Sequence, residues 1–183
     1  AVMLESAYPF YFIQKDKGDS VGLLRILLYR FKSAKSKLVY IVRVEEYEHN
    51  IYAVKFYQKS HSLSKNKYRI MTNTNEPRRI INTCINIMLT IYQSNKKASF
   101  GFVGANGFDE DISCTKRYRV YSRIIATYFS DEYFYHKENI DKSAYMLINN
   151  ISLDENPNLV EQIESFFIKQ YDYFGNCSAD VTR

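Results

Sequence analysis

Residues 99–130 read S-F-G-F-V-G-A-N-G-F-D-E-D-I-S-C-T-K-R-Y-R-V-Y-S-R-I-I-A-T-Y-F-S, and the rest of the chain can be placed relative to them. The apolar run at their start predicts a strand over 98–103, and Thr115 is suited to cap a helix over 116–129. Three of the six glycines and four of the 25 Lys and Arg residues fall in this stretch. It therefore predicts a strand, a glycine-containing loop and a basic helix, in that order.

The first 75 residues have the composition of β-strands. Residues 38–46 are dense in β-branched side chains, and a tight turn at 48–50 separates them from a second strand over 51–58. Residues 21–31 have apolar side chains at helical spacing, but their position among strands favours a strand. Further strands are predicted over 8–14 and 68–71, so this part of the chain is expected to form a meander.

Apolar residues recur at intervals of three and four after Pro77. This spacing predicts a helix over 76–93, and proline is well tolerated in its first turn. A last amphipathic helix is expected from near Pro157 to about Gly175. The segments between these helices and the stretch above are predicted to be strands over 133–136 and 144–148 and a polar loop over 149–157.

The order of elements indicates an α+β fold. We expect an antiparallel sheet of about five to seven strands packed with three helices, which cover one face of the sheet. A chain of 183 residues is expected to form one domain, 1–183, with flexible ends at 1–7 and 176–183.

Composition excludes several classes of protein. The chain has no run of about 18 apolar residues, the length that predicts a membrane-spanning helix, and no secretory signal pattern. Cys84, Cys114 and Cys177 are odd in number and widely spaced, which favours the reducing cytoplasm over a disulfide framework. Because no C-x-x-C or His-rich spacing is present, the cysteines cannot form a zinc site alone. We expect no metal site and no cofactor.

The glycine loop favours phosphate binding only weakly. Gly101, Gly104 and Gly107 stand between a strand and a helix, where backbone N–H groups can hold phosphate. Their spacing is not that of a known phosphate loop, and the carboxylates of 109–111 follow directly. The alternatives are turns that need glycine, a divalent cation held by the carboxylates of 109–111 with loop carbonyls, and an acidic loop that suits the positive end of a helix.

Charge is divided unevenly along the chain. Residues 1–100 hold 17 basic and 7 acidic residues, a net charge of +10, whereas 101–183 hold 8 basic and 13 acidic residues, a net charge of −5. Cations at the start of the helix at 116 lie at its electrostatically unfavourable end, which favours an anionic partner such as nucleic acid. Tyrosines interleave with the basic residues of 55–79, a mixture that suits single-stranded nucleic acid. The predicted contact residues are Lys65, Lys67, Arg69, Arg78, Arg79, Lys116, Arg117, Arg119, Tyr121 and Arg123.

Other interpretations remain open at this point. The cations at 116–119 are equally suited to salt bridges with 109–111, and the basic loop to simple solvation. A homo-oligomer, or a protein-binding subunit of a defence or toxin–antitoxin pair, would explain the aromatic content of 16%. A phosphoester-processing enzyme using His61 or His136 is a third hypothesis. The sequence shows no recognisable set of catalytic residues. Glu45 and Glu46 adjoin on a strand and should therefore face opposite ways. A non-enzymatic binding protein is favoured.

Four motifs between about residues 81 and 149 resemble those of small bacterial proteins classified only as domains of unknown function. They are I-I-N-T at the start of a helix, S-F-G-F-V-G-A, T-K-R-Y-R-V-Y and S-A-Y-M-L-I-N. The resemblance implies a bacterial, cytoplasmic α+β protein and carries no activity with it. If the third motif marks a family site, the positions that match it are Thr115, Arg117, Arg119 and Tyr121.

Overall fold

The glycine-containing strand of the quoted stretch joins the two halves of a seven-stranded sheet. The computed structural model describes residues 4–68, 70, 76–104, 110–111 and 113–176, with side chains in the last helix described as far as Phe167. The strands are β1 Phe10–Lys17, β2 Leu23–Lys32, β3 Val39–Tyr47, β4 Ile51–Gln58, β5 Ser99–Val103, β6 Phe134–Asn139 and β7 Ala144–Asn149. The helices are α1 Pro77–Ser94, α2 Lys116–Tyr128, α3 Asn150–Glu155 and α4 Leu159–Asn176.

The strand order across the sheet is β1-β2-β3-β4-β5-β7-β6. All neighbours are antiparallel except β4 and β5, which run parallel. Two consecutive parallel strands need a crossover, and α1 provides it. The α+β class and the predominantly antiparallel sheet are confirmed, with this one parallel pair as a difference from the expectation.

Helices cover both faces of the sheet, so the expectation of one covered face was wrong. Alternate strand residues, such as Val42, Tyr52 and Phe100, pack with α1 and α2 on what we call the α1–α2 face. Their neighbours, such as Ile51 and Ala53, pack with Leu159, Ile163 and Phe167 of α4 on the α4 face. Periodicity shows that one stripe of α4 is apolar, but it does not show which side of the sheet that stripe will meet.

The loop predicted over 149–157 is in part helical. Helix α3 spans Asn150–Glu155, and the Asn149 side chain caps it by accepting hydrogen bonds from the N–H groups of Ile151 and Ser152 at 3.0 and 3.4 Å. A helix of six residues is too short to show an apolar period, and asparagine suits both loops and helix caps. The strand predicted over 68–71 is not observed at Tyr68 or Ile70, and Arg69 and Met71 lie outside the described residues.

The first described residues lie along α1. The Leu4 backbone N–H and C=O both bond to the Asn86 side chain, at 2.7 and 3.0 Å, and Tyr8 N–H donates to Thr83 at 2.9 Å. Residues 4–7 were expected to be part of a flexible end, and these bonds hold them against the helix. Residues 1–3 and 177–183 lie outside the described part of the chain.

Candidate functional site

Arg117, at the start of α2, connects the two basic stretches that are far apart in sequence. Its guanidinium donates hydrogen bonds to the backbone carbonyls of Tyr68 and Ile70, the second at 3.0 Å. The guanidinium carbon lies 4.9 Å from the centre of the Phe56 ring. The helix start predicted to bind an anion and the basic segment after β4 are therefore neighbours in space.

A third basic segment, the hairpin between β2 and β3, meets the same region. Ser33 and Ser36 of this hairpin donate hydrogen bonds to the buried Glu76 carboxylate, at 2.7 and 3.1 Å, directly before α1 begins. The hairpin reads K-S-A-K-S-K over 32–37, and its three lysines are exposed. These lysines are not among the contact residues predicted from the sequence. The dense lysine spacing was visible, but the contact with Glu76 was not.

All three segments lie at the end of the sheet where β4 and β5 finish and where α1 and α2 begin. We call this surface the basic end. Its members are Lys32, Lys35, Lys37, Lys59, Lys65, Lys67, Arg78, Arg79, Lys116 and Arg119. The described carboxylates near it are fewer, namely Glu76, Glu110, Asp111, Glu138 and Asp141.

Four cations of the basic end have no carboxylate partner among the described residues. No described carboxylate oxygen lies within 4.0 Å of the charged nitrogens of Lys116, Arg119, Arg78 or Arg79. Arg119 donates to the Cys114 carbonyl at 2.8 Å, which leaves its charge unneutralised. No ion pair between Lys116 or Arg119 and a described carboxylate is observed, and Asp109, one of the three carboxylates of the salt-bridge alternative, lies outside the described residues.

The predicted contact residues are not equally available to a ligand. Lys65, Arg78, Arg79, Lys116 and Arg119 are exposed at the basic end, and Lys67 is partly exposed there. Arg123 is exposed one turn further along α2. Arg69 lies outside the described residues.

Arg117 and Tyr121 are structural residues in this fold. Burial lowers the pKa of the Arg117 guanidinium, and two of its N–H groups donate hydrogen bonds to backbone carbonyls. The Tyr121 ring is buried with its centre 5.5 Å from that of Phe102 in the core. In this arrangement, neither side chain is available to contact a ligand.

A second charged cluster lies beside the basic end on the α4 face. The Lys67 ammonium lies 4.4 Å from the centre of the Tyr57 ring and 5.3 Å from that of Tyr68. Burial and the nearby charges of Arg43 and Lys55 lower the pKa of Lys67. The cluster thus combines cations with aromatic rings, as the sequence of this segment predicted.

Packing explains Gly104, the second of the three glycines of this loop. A Cβ on Gly104 would lie 2.5 Å from the Tyr118 backbone nitrogen and 2.7 Å from Thr115 Oγ1, so glycine lets the cap of α2 approach the end of β5. The predicted Thr115 cap is confirmed, since its hydroxyl accepts from Tyr118 N–H at 3.1 Å. Glu110 accepts a hydrogen bond from Lys116 N–H at 2.9 Å, so a carboxylate occupies this helix start. Gly107 and Asp109 lie outside the described residues.

The histidines named for phosphoester chemistry do not share a site. His61 follows β4, whereas His136 is on β6, three strands and about 14 Å across the sheet. His136 Nδ1 lies 2.6 Å from the Tyr145 hydroxyl, and burial raises the pKa of that hydroxyl to about 12. Within the described residues, no group of three or more His, Cys, Asp or Glu is placed to hold a metal ion.

Strand β1 forms one edge of the sheet and is exposed along most of its length. Tyr11, Phe12 and Ile13 are 68%, 55% and 45% exposed. An edge strand with unpaired backbone groups is a common place for a second chain to add, so this feature bears on the alternative of a homo-oligomer.

No protein-family model, curated protein or solved structure matches this chain. Among the helices that the structure describes, none combines the length and the apolar character needed to cross a bilayer.

Proposed function

We propose that this protein binds nucleic acid through the basic end of its sheet. The observation that carries the proposal is the convergence at Arg117. Its bonds to Tyr68 and Ile70 bring the start of α2 beside the segment after β4, so two separate basic stretches form one surface. Arg117 itself anchors the surface, and the exposed lysines and arginines around it make the contact.

The electrostatics of the surface support a polyanion as the partner. Cations without internal carboxylate partners attract counterions, and phosphates that replace these counterions give binding that weakens with salt. The cations are spread over four segments of the chain, an arrangement suited to an extended string of phosphates. Mutually repelling cations held together in one region are more readily explained by such a ligand than by stability.

The test is fluorescence anisotropy with labelled 20-nucleotide DNA and RNA at about 50 and about 200 mM salt, a range over which phosphate-dominated affinities fall steeply. We expect the affinity of the wild type to fall between the two salt concentrations. In the double variant Lys116→Ala/Arg119→Ala, the slope of log affinity against log salt should become shallower by about two, one for each lost phosphate contact.

The matched control is Lys96→Ala/Lys97→Ala, which removes the same charge between α1 and β5 at the opposite end of the sheet. It should leave both the affinity and the salt slope near the wild-type values. Binding that does not depend on salt, or equal losses in the two double variants, would contradict the proposal.

A further inference from the structure

The edge strand β1 and its neighbour β2 carry an open, flat row of side chains beside the basic end. On β1, Phe10 and Phe12 both lie edge-on to Tyr29 of the α1–α2 face, at 6.0 and 5.4 Å between ring centres. Tyr11, which lies between them, therefore projects from the α4 face. Arg30 is its partner in the β1–β2 register, and its neighbours Tyr29 and Phe31 belong to the α1–α2 core.

The row continues across four strands. Tyr11 is opposite Arg30, Arg30 is opposite Ile41, and Ile41 is opposite Tyr57. Tyr57 is the tyrosine under the Lys67 ammonium, so this row ends at the cation–aromatic cluster of the basic end. A planar ring and a planar guanidinium thus stand side by side at the start of the row.

The described side chains of α4, which end at Phe167, do not cover the beginning of this row. The apolar cluster of α4 reaches Ile26 and Leu28 of β2 but includes no described residue of β1. Tyr11 is 68% exposed, and Arg30, Lys32 and Gln14 around it are exposed as well. The described residues therefore leave an accessible strip of sheet on this side of β1 and β2.

The charge of the strip changes along the strands. Asp16 lies toward the opposite end of the sheet, whereas Arg30 and then Lys32 lie toward the basic end. No described carboxylate is within 4.0 Å of the charged groups of Arg30 or Lys32. A ligand on the strip would thus contact an aromatic ring together with unneutralised cations. The strip is therefore a polar surface and not an apolar one.

We infer that this strip is a stacking platform for the unpaired bases of single-stranded nucleic acid. The inference rests on the proposed function: the basic end holds phosphates, and the strip receives bases on Tyr11 and on the Arg30 guanidinium. Bases of a duplex are stacked on one another and turned inward, whereas bases of a single strand can spread onto a flat sheet and stack on aromatic and guanidinium planes. The preferred ligand is therefore single-stranded, whether RNA or DNA.

The experiment compares Tyr11→Ala with Tyr135→Ala. Tyr135 is a tyrosine of the other edge strand, β6, and is 47% exposed. Affinities are measured for labelled 12-nucleotide single strands of RNA and DNA and for the matching duplex. Tyr11→Ala should weaken single-strand binding about tenfold, the range of one lost base stack, with the salt slope and the duplex affinity unchanged. Tyr135→Ala should change none of these, and Tyr11→Phe should bind as the wild type does.

A second variant, Arg30→Lys, retains the charge but removes the planar guanidinium. It should also weaken single-strand binding without changing the salt slope, because the phosphate contacts remain. Melting temperatures of all variants are measured in parallel. Tyr11 and Arg30 are exposed, so these variants should have the same melting temperature as the wild type.

The outcomes separate the two proposals. If the wild type binds neither the single-stranded nucleic acids nor the duplex, the proposed function fails and the platform fails with it. If the wild type binds in a salt-dependent way but Tyr11→Ala behaves as Tyr135→Ala, or weakens the duplex equally, the platform is overturned and the basic end stands. If Tyr11→Ala changes the sedimentation coefficient instead of the affinity, the strip is an interface between two copies of the chain, which also overturns the platform.

Discussion

Glu45 shows how this protein holds a carboxylate inside its sheet. The Lys55 ammonium lies 2.6 Å from one Glu45 oxygen and Arg43 Nη2 lies 3.0 Å from the other, while the Glu45 side chain is only 6% exposed. Burial by itself would raise the pKa of this carboxyl, but the charges of Lys55 and Arg43 outweigh it and hold the pKa below its ordinary value of 4.5. The two cations are thereby held beside Tyr57 and Lys67, where the basic end meets the α4 face.

Substitution Glu45→Gln should destabilise the fold by about 3 kcal/mol at neutral pH, since it leaves two partly buried cations without their counter-charge. A carboxyl whose pKa is lowered in the folded state adds stability above its unfolded pKa, and loses that contribution as the pH falls through the folded pKa. The stability of the wild type should therefore fall below about pH 4.5, and that of the variant should fall less. Urea unfolding at a series of pH values measures both effects.

The matched control is Glu155→Gln. Glu155 forms an exposed ion pair with Lys97 at 2.8 Å, and such pairs contribute about 0–1 kcal/mol. If the two variants lose the same stability, the cluster around Glu45 has no special role. The expectation that Glu45 and Glu46 face opposite ways is consistent with the contacts, because Glu46 instead bonds to Arg25 and to Tyr52 of the α1–α2 core.

At the level of elements, Gly101 sets the distance between β5 and α4. A Cβ at this position would lie 1.7 Å from Phe167 Cζ, so the helix can lie against the strand only because no side chain intervenes. The contact explains one of the glycines that the sequence made conspicuous. It is a packing requirement and does not involve a ligand.

Gly101→Ala should cost about 1–3 kcal/mol through overpacking, and Phe167→Ala about 3–5 kcal/mol through the cavity it leaves. The double variant should be more stable than the sum of the two losses predicts, because removal of the ring makes space for the new methyl group. Gly104→Ala is the control, since its Cβ would meet the Tyr118 backbone and Phe167→Ala cannot relieve that contact. Additive losses for Gly101→Ala and Phe167→Ala would contradict this explanation.

The sequence predicted most elements because their signals are local. Residues 38–46, 51–58 and 76–93 were placed to within two residues of β3, β4 and α1 by β-branched content and by helical spacing. The parallel pairing of β4 with β5 and the side of the sheet that α4 covers were not predictable in this way. Both depend on contacts between residues distant in the chain, for which a single sequence contains no periodic signal.

In the candidate site, too, local features were predictable from the sequence and contacts between distant residues were not. The cations of 65–79 and 116–123 were identified from charge alone, but their meeting at Arg117 was not, because that contact joins positions almost fifty residues apart. Tyr121 and Arg117 were grouped with the contact residues, although Tyr121 is buried and Arg117 is part-buried and bonded to backbone carbonyls. A short motif shows which side chains are present, and helix packing determines which of them face the solvent.

For the whole molecule, the uneven charge along the chain becomes a difference between two ends. The basic end lies where β4 finishes, and exposed acidic residues gather where it begins, alongside the exposed Lys96 and Lys97. These acidic residues are Glu48, Asp131, Glu132, Asp154 and Glu155. The nine residues of β3 separate the ends by about 30 Å, nearly four times the Debye length of about 8 Å at physiological salt. Each end therefore interacts with its surroundings almost independently of the other.

The parallel pair β4–β5 has a consequence for how the molecule opens. It is the only strand pair that joins the β1–β4 half of the described sheet to the β5–β7–β6 half, and it spans four residue pairs, whereas β2 and β3 pair over nine. Units joined by so short a pairing exchange their amide hydrogens through partial unfolding events of different free energy. The amides of β6 and β7 should then exchange at lower urea concentrations than those of β2 and β3 in native-state hydrogen–deuterium exchange, and one common exchange isotherm for both halves would show that the sheet unfolds as one unit.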